Sequence, residues 1–142
     1  PDVAYFGQKD AQQALVVRKL VQDLDIPVRI EICPIIRDPD GLALSSRNAY
    51  LSADERERAL ALSRALRAAE QTVTAGTIDA ATILAAARSE LDAAGIEPEY
   101  LELRSASDLS EVERLNGSVL LAVAARVGRA RLIDNVILGD KT

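Results

Sequence analysis

The chain has 142 residues, of which 49% are hydrophobic and 3% aromatic, so it is one domain, or a small domain plus part of another, with an aliphatic core. A net charge of −5 with interspersed signs repels nucleic acid and anionic membrane surfaces. No apolar run approaches the roughly 20 residues that span a bilayer, and a lone cysteine, Cys33, gives no disulfide framework and points to a reducing, cytoplasmic setting.

In chain order, Val3 to Phe6 reads as a short strand ending at Gly7. Asp10 stands where a helix N-cap belongs, with Gln13 completing a capping box. Ala14, Val17, Leu20, Val21 and Leu24 then recur at helical spacing. After Pro27, Val28, Ile30 and Ile32 alternate with Arg29 and Glu31 as a strand, so residues 1–36 form a βαβ unit of parallel sheet. Arg37 to Gly41 is a turn, and Leu42 to Tyr50 a loop. Ser52 and Glu55 form a second capping box, opening an amphipathic helix to Thr74 with Ala59, Leu62, Leu66, Ala69 and Val73 inward; Gly76 stops it. A third helix covers Ile78 to Ala94 with Ile83, Leu84, Ala87 and Leu91 inward, and Gly95 follows as its C′ residue. Strands are expected at Tyr100 to Arg104, Ser118 to Ala125 and Arg131 to Leu138, with turns at Asn116-Gly117 and Gly128. Residues 37–142 thus read as an α+β domain, two main helices over a short antiparallel sheet.

The lack of histidine removes the usual general base, the histidine triads and most zinc sites. Two stretches can still carry chemistry. In "FGQKD", Phe6 to Asp10, a glycine, a lysine and an aspartate sit where a strand passes into a helix, the edge at which parallel sheets bind anionic ligands. Lys9 can neutralise a phosphate, and Asp10 can meet a ribose hydroxyl or hold a magnesium ion. Read structurally, Gly7 is a turn, Asp10 and Gln13 cap the helix, and Lys9 is solvated; taken alone, these residues favour that plainer account. In "DGLALSSRN", Asp40 to Asn48, two hydroxyls and a guanidinium suit a polyphosphate. Loop serines bonded to their own backbone remain the alternative, although Ser52 is the better cap and Ser45 and Ser46 are not needed for it. Cys33 is assigned to packing, the charges of Asp54, Glu55, Arg56, Glu57 and Arg58 to a solvated helix face, and "RLIDN", Arg131 to Asn135, to a strand with a polar end.

Together, "FGQKD" followed by "QQ", then "RKLVQDL", "DGLALSSRN" with "YLS", "YLELR" and "RLIDN" resemble, in order and spacing, the later part of the pantothenate synthetase (pantoate–β-alanine ligase) family. The resemblance implies the end of a Rossmann-like nucleotidyltransferase sheet in residues 1–36 and a lid domain in 37–142. It implies condensation of pantoate and β-alanine through pantoyl adenylate, with ATP and Mg2+, in a cytoplasmic homodimer. By the same resemblance Gly7, Gln8, Lys9, Asp10, Ile36, Leu44, Ser45, Ser46 and Arg47 contact ATP, Gln13 binds pantoate, and Lys9, Ser45, Ser46 and Arg47 stabilise transition-state charge. Gln13 then has two roles, cap and ligand, and the family pattern favours the ligand.

Ala11 departs from the family in standing where an aromatic residue is common, and the family's "HxGH"-like segment is missing along with other pantoate and β-alanine contacts. A chain beginning Pro-Asp-Val without Met is expected to be part of a longer polypeptide, inactive alone. Uncovered, its βαβ part is expected to self-associate or to leave residues 1–9 mobile. The alternatives are a non-enzymatic helical interaction module and a related nucleotidyltransferase with other substrates.

Overall fold

The computed structural model describes residues 3–7, 11–27, 29–33, 36–43, 46–106 and 109–139, with backbone alone at 4–7, 11–15, 29–33 and 46–47. Strand β1 (Val3–Gly7) lies parallel to β2 (Arg29–Cys33), joined by helix α1 (Ala11–Asp23). The βαβ unit therefore stands. On its helix Val17 and Val21 are partly buried, whereas Leu20 and Leu24 are 53% and 62% exposed. Two strands about 4.8 Å apart are narrower than a helix about 10 Å across. They cover one stripe of α1 and leave the flanking leucines outside. The capping box expected of Asp10 and the packing expected of Cys33 lie outside what is described.

Helix α2 (Ala53–Thr74) starts where its capping box predicts. Ser52 Oγ accepts the Glu55 N–H at 3.1 Å, and Glu55 Oε1 accepts the Ser52 N–H at 2.9 Å. Ala59, Leu62, Leu66 and Ala69 are buried, Val73 is partly so, and Gly76 leaves the helix at φ +103. Helix α3 (Ala80–Ala93) begins later than the apolar pattern suggests. Asp79 is the N-cap, accepting from both the N–H and the hydroxyl of Thr82, so Ile78 falls outside the helix and is half exposed.

Strands β3 (Pro98–Ser105), β4 (Val119–Val127) and β5 (Ala130–Leu138) form an antiparallel sheet in that order. The β4–β5 hairpin turns tightly through Gly128 and Arg129, with Val127 paired to Ala130. Val119, Leu121, Val123, Ala125 and Val127 face the helices in the main core, while Leu120 and Ala122 pack on the other face with Tyr100, Leu109 and Ile137. β4 is central and apolar on both sides, which explains its nearly unbroken hydrophobic run. Helices α2 and α3 pack on each other and on this sheet, the two-layer arrangement that the strand and helix pattern implies.

Candidate functional site

Between β2 and α2, residues 37–43 form a small closed hairpin. Arg37 and Ala43 form an antiparallel bridge, the Asp38 N–H donates to Leu42 O at 2.9 Å, and the Gly41 N–H to Asp38 O at 2.8 Å. Pro39 presets the backbone at the second turn position, and Gly41 adopts φ +99, a left-handed conformation cheap only for glycine. The Asp40 carboxylate takes the Leu42 N–H at 3.2 Å, tightening the turn.

Two guanidinium groups fasten this hairpin to the rest of the fold. Arg37 donates to both oxygens of Asp134 on β5, at 2.7 and 2.8 Å, and to Gly41 O at 3.1 Å. Asp134 is 4% exposed, and its carboxylate also takes the Asn135 N–H at 2.8 Å, so the buried charge is paired and hydrogen-bonded. Arg56, on the first turns of α2, reaches Asp38 at 2.8 Å and Asp40 at 3.0 and 3.2 Å. The hydrogen bonds to Asp134 raise the Arg37 pKa against the opposing effect of burial. Asp38 and then Asp40 raise that of Arg56 in the same way. The Leu42 N–H, and after it Arg56, hold Asp40 below the ordinary carboxylate range. Both arginines are thus neutralised by internal carboxylates and act as structural cations.

Residues Ser46–Tyr50 form a 3-10 helix, η1, which packs against β5. The sequence alone suggests a plain loop over this stretch. Asn48 Nδ2 donates to Ala43 O at 3.1 Å, and the Leu51 N–H closes onto Asn48 O at 3.1 Å, leading into the Ser52 cap. The Asn48 side chain thus ties η1 to the hairpin at Ala43. The hairpin from Arg37 to Ala43 is therefore rooted in the Arg37–Asp134 fork.

Of the expected site residues, Gly7 closes β1 opposite Cys33 at the end of β2, so the chain leaves both parallel strands at one edge of the sheet. Ile36 lies three residues beyond Cys33, 69% exposed, directly before the hairpin. Gln13 is in the first turn of α1, and Ser46 and Arg47 open η1, each described by its backbone. Gln8, Lys9, Asp10, Leu44 and Ser45 lie outside the described residues. Among the described residues, no group of three or more His, Cys, Asp or Glu side chains is placed to hold a metal ion, and no helix is long and apolar enough to cross a membrane.

Sequence reasoning misses Arg37, Asn48, Arg56 and Asp134. It assigns Arg56 to a solvated face, yet Arg56 binds two aspartates; it assigns Asp134 to a polar strand end, yet Asp134 is buried. One signal was available. Asp134 and Asn135 are adjacent polar residues inside an apolar strand, and alternation must turn one of them inward.

Comparison with known proteins agrees with this architecture. A family model described as pantoate-beta-alanine ligase matches residues 1–137. Pantothenate synthetase from Roseiflexus castenholzii is 48% identical over 139 residues, covering 97% of this chain and 50% of that protein. The crystal structure of pantothenate synthetase from Thermus thermophilus superposes with a TM-score of 0.87 at 41% identity, covering 96% of this chain and 49% of that one. The pantoate-beta-alanine ligase from Francisella tularensis, complexed with beta-gamma ATP and beta-alanine, superposes with a TM-score of 0.62 at 29% identity, covering 96% and 44%. The chain spans about half the length of these relatives. On the match across its length, the chain belongs to the pantoate–β-alanine ligase family.

Proposed function

We propose that this chain is the later half of an ATP-dependent ligase that joins pantoate to β-alanine, and that it is inactive without the half that precedes it in its relatives. Residues 1–36 end a Rossmann-like nucleotide- and pantoate-binding domain, and residues 37–142 form the lid domain. In the first step a pantoate carboxylate oxygen attacks the α-phosphorus of ATP. The bond to the bridging oxygen breaks and pyrophosphate leaves; a Mg2+ ion bound with the ATP would offset its charge. In the second step the β-alanine amine attacks the acyl carbon and loses a proton, and AMP departs with the electrons of the acyl–oxygen bond.

In this reading Gly7, Gln8, Lys9 and Asp10 meet the nucleotide at the carboxyl edge of β1, Ile36 offers its backbone to the adenine, and Gln13 hydrogen-bonds pantoate. Leu44, Ser45, Ser46 and Arg47 close over the phosphates. Lys9, Arg47 and the two hydroxyls offset the charge that grows on departing pyrophosphate, where donors aimed at developing charge contribute most. The enzyme works in the cytoplasm as a homodimer.

The observation that carries this reading is the family match over residues 1–137, within which "FGQKD" and "LSSRN" keep their order and spacing. The geometry supports it in two ways. The parallel strands end together at Gly7 and Cys33, on the sheet edge where such folds take nucleotides. Arg37 and Arg56 are each paired with carboxylates of this chain, so neither is counted among the phosphate-binding cations. The family match weighs against a non-enzymatic helical module.

Arg47→Ala in the full-length protein tests the phosphate role. Loss of a donor to developing charge should slow adenylation by about a hundredfold while ATP binding changes little. Weaker ATP binding with saturating turnover untouched would remove Arg47 from that role.

A further inference from the structure

Two pairs in the chain set an aspartate or asparagine directly before glycine, Asp40-Gly41 and Asn116-Gly117. Such pairs cyclise when the glycine nitrogen attacks the side-chain carbonyl carbon, which requires a free glycine N–H and a side chain able to turn onto it. The fold withholds both at the first pair. The Gly41 N–H donates to Asp38 O at 2.8 Å, while the Asp40 carboxylate takes the Leu42 N–H and the Arg56 guanidinium. At the second pair it withholds neither. Asn116 and Gly117 are both exposed, neither hydrogen-bonds to another described residue, and a Cβ built on Gly117 would meet nothing within 4 Å. Their neighbours are nevertheless fixed: the Leu115 N–H donates to Ile78 O at 2.8 Å, and Ser118 O accepts the Ala106 N–H at 3.1 Å. The other asparagines lack the feature. Asn48 precedes Ala49, and Asn135 precedes the branched Val136 within β5 and is 3% exposed.

We propose that Asn116 is a modification site, at which the folded protein deamidates spontaneously in water. The Gly117 nitrogen loses its proton to hydroxide and attacks Asn116 Cγ. The bond from Cγ to Nδ2 breaks, and the amide nitrogen leaves as ammonia with a proton from water. Water then adds to either carbonyl of the succinimide and opens the ring at that C–N bond, leaving aspartate or isoaspartate. Each event adds one negative charge, taking the net charge from −5 to −6. Gly117 suits the step because glycine puts no side chain beside the attacking nitrogen and holds its φ of +83 without strain. The reaction needs nothing from the ligase site, so either reading can fail without the other.

The test is incubation of the full-length protein in mildly alkaline buffer, folded and in urea, followed by cleavage after arginine and chromatography with mass spectrometry. Residues 115–126 carry Asn116 as their sole asparagine, and residues 38–47 carry Asp40. In the folded protein the first peptide should convert to an aspartate and isoaspartate pair within tenfold of its rate in urea, and faster as pH rises. Asp40 should isomerise at least tenfold more slowly folded than in urea. Asn116→Gln should keep its peptide unconverted, because glutamine would have to close a six-membered ring. Conversion of Asn116 more than tenfold slower folded than in urea, or a rate that does not rise with pH, would overturn the assignment. Equal rates for Asp40 in the two states would overturn the reasoning from hydrogen bonding on which it rests.

Discussion

Replacing Asp134 by Asn perturbs the root of the hairpin with almost no change in volume. The carboxylate accepts three N–H groups, at 2.7 and 2.8 Å from Arg37 and 2.8 Å from Asn135. An amide keeps one acceptor oxygen but turns an NH2 group toward the other guanidinium donor. One charge-assisted hydrogen bond, a contribution of about 1.5–3 kcal/mol, is lost. The side chain of Arg37 is 31% exposed against 3% for Asp134, so water offsets part of the loss on the arginine side. Discounted for that screening, the expected cost is about 2 kcal/mol. For a chain of this size that lowers the melting temperature by about 6 °C. Arg37→Ala should cost more, about 3–4 kcal/mol, because it strips a nearly fully buried carboxylate of its partner. In Asp134→Asn, by contrast, the arginine keeps Gly41 O. Circular-dichroism melts of both variants and the double mutant give the coupling, expected at about 1.5–2 kcal/mol. Strict additivity, an unchanged melting temperature in Asp134→Asn, or a milder effect from Arg37→Ala would refute the account of the fork.

Three further outcomes follow from other parts of the fold. Gly128 sits at φ +60, and a Cβ there would run into the Glu55 carboxylate that caps α2, so Gly128→Ala should destabilise by about 1–2 kcal/mol. Adding Ser52→Ala to it should cost less than Ser52→Ala alone, as urea titrations of the single and double variants would show. Three carboxylates are held below their ordinary values: Asp79 by the Thr82 hydroxyl and N–H, Asp40 by the Leu42 N–H and Arg56, and Glu99 by Arg131. A depressed carboxylate stabilises the fold above its unfolded pKa and loses that effect as pH falls through its folded one. Urea midpoints should therefore be flat near neutrality and fall below about pH 4, with Asp79→Asn flattening the fall. In the full-length protein Gln13→Ala should weaken pantoate binding and spare ATP binding by calorimetry; a loss of stability as its sole effect would favour the capping role.

Local chemistry made some elements readable in advance. α2 announced itself through Ser52 and Glu55 at its start, an alanine–leucine stripe along one face and Gly76 after its end, signals that all reinforce one another. β4 and β5 were readable because Gly128 interrupts two long apolar runs. Apolar spacing starts α3 at Ile78, whereas the cap chemistry of Asp79 starts it at Ala80. The root of the hairpin was out of reach for a different reason. Arg37 and Asp134 are 97 residues apart, and their pairing depends on β5 folding back beside η1, which no local period encodes. Leu20 and Leu24 keep helical spacing yet are exposed, beside a described sheet of two strands.

Adding ATP and pantoate to the full-length protein without β-alanine, and measuring pyrophosphate in the first turnover, tests the central claim most directly. A burst of one pyrophosphate per active site, dependent on pantoate and followed by AMP release only when β-alanine is supplied, is the predicted result. ADP and inorganic phosphate as products, or pyrophosphate that appears only with the amine present, would contradict it.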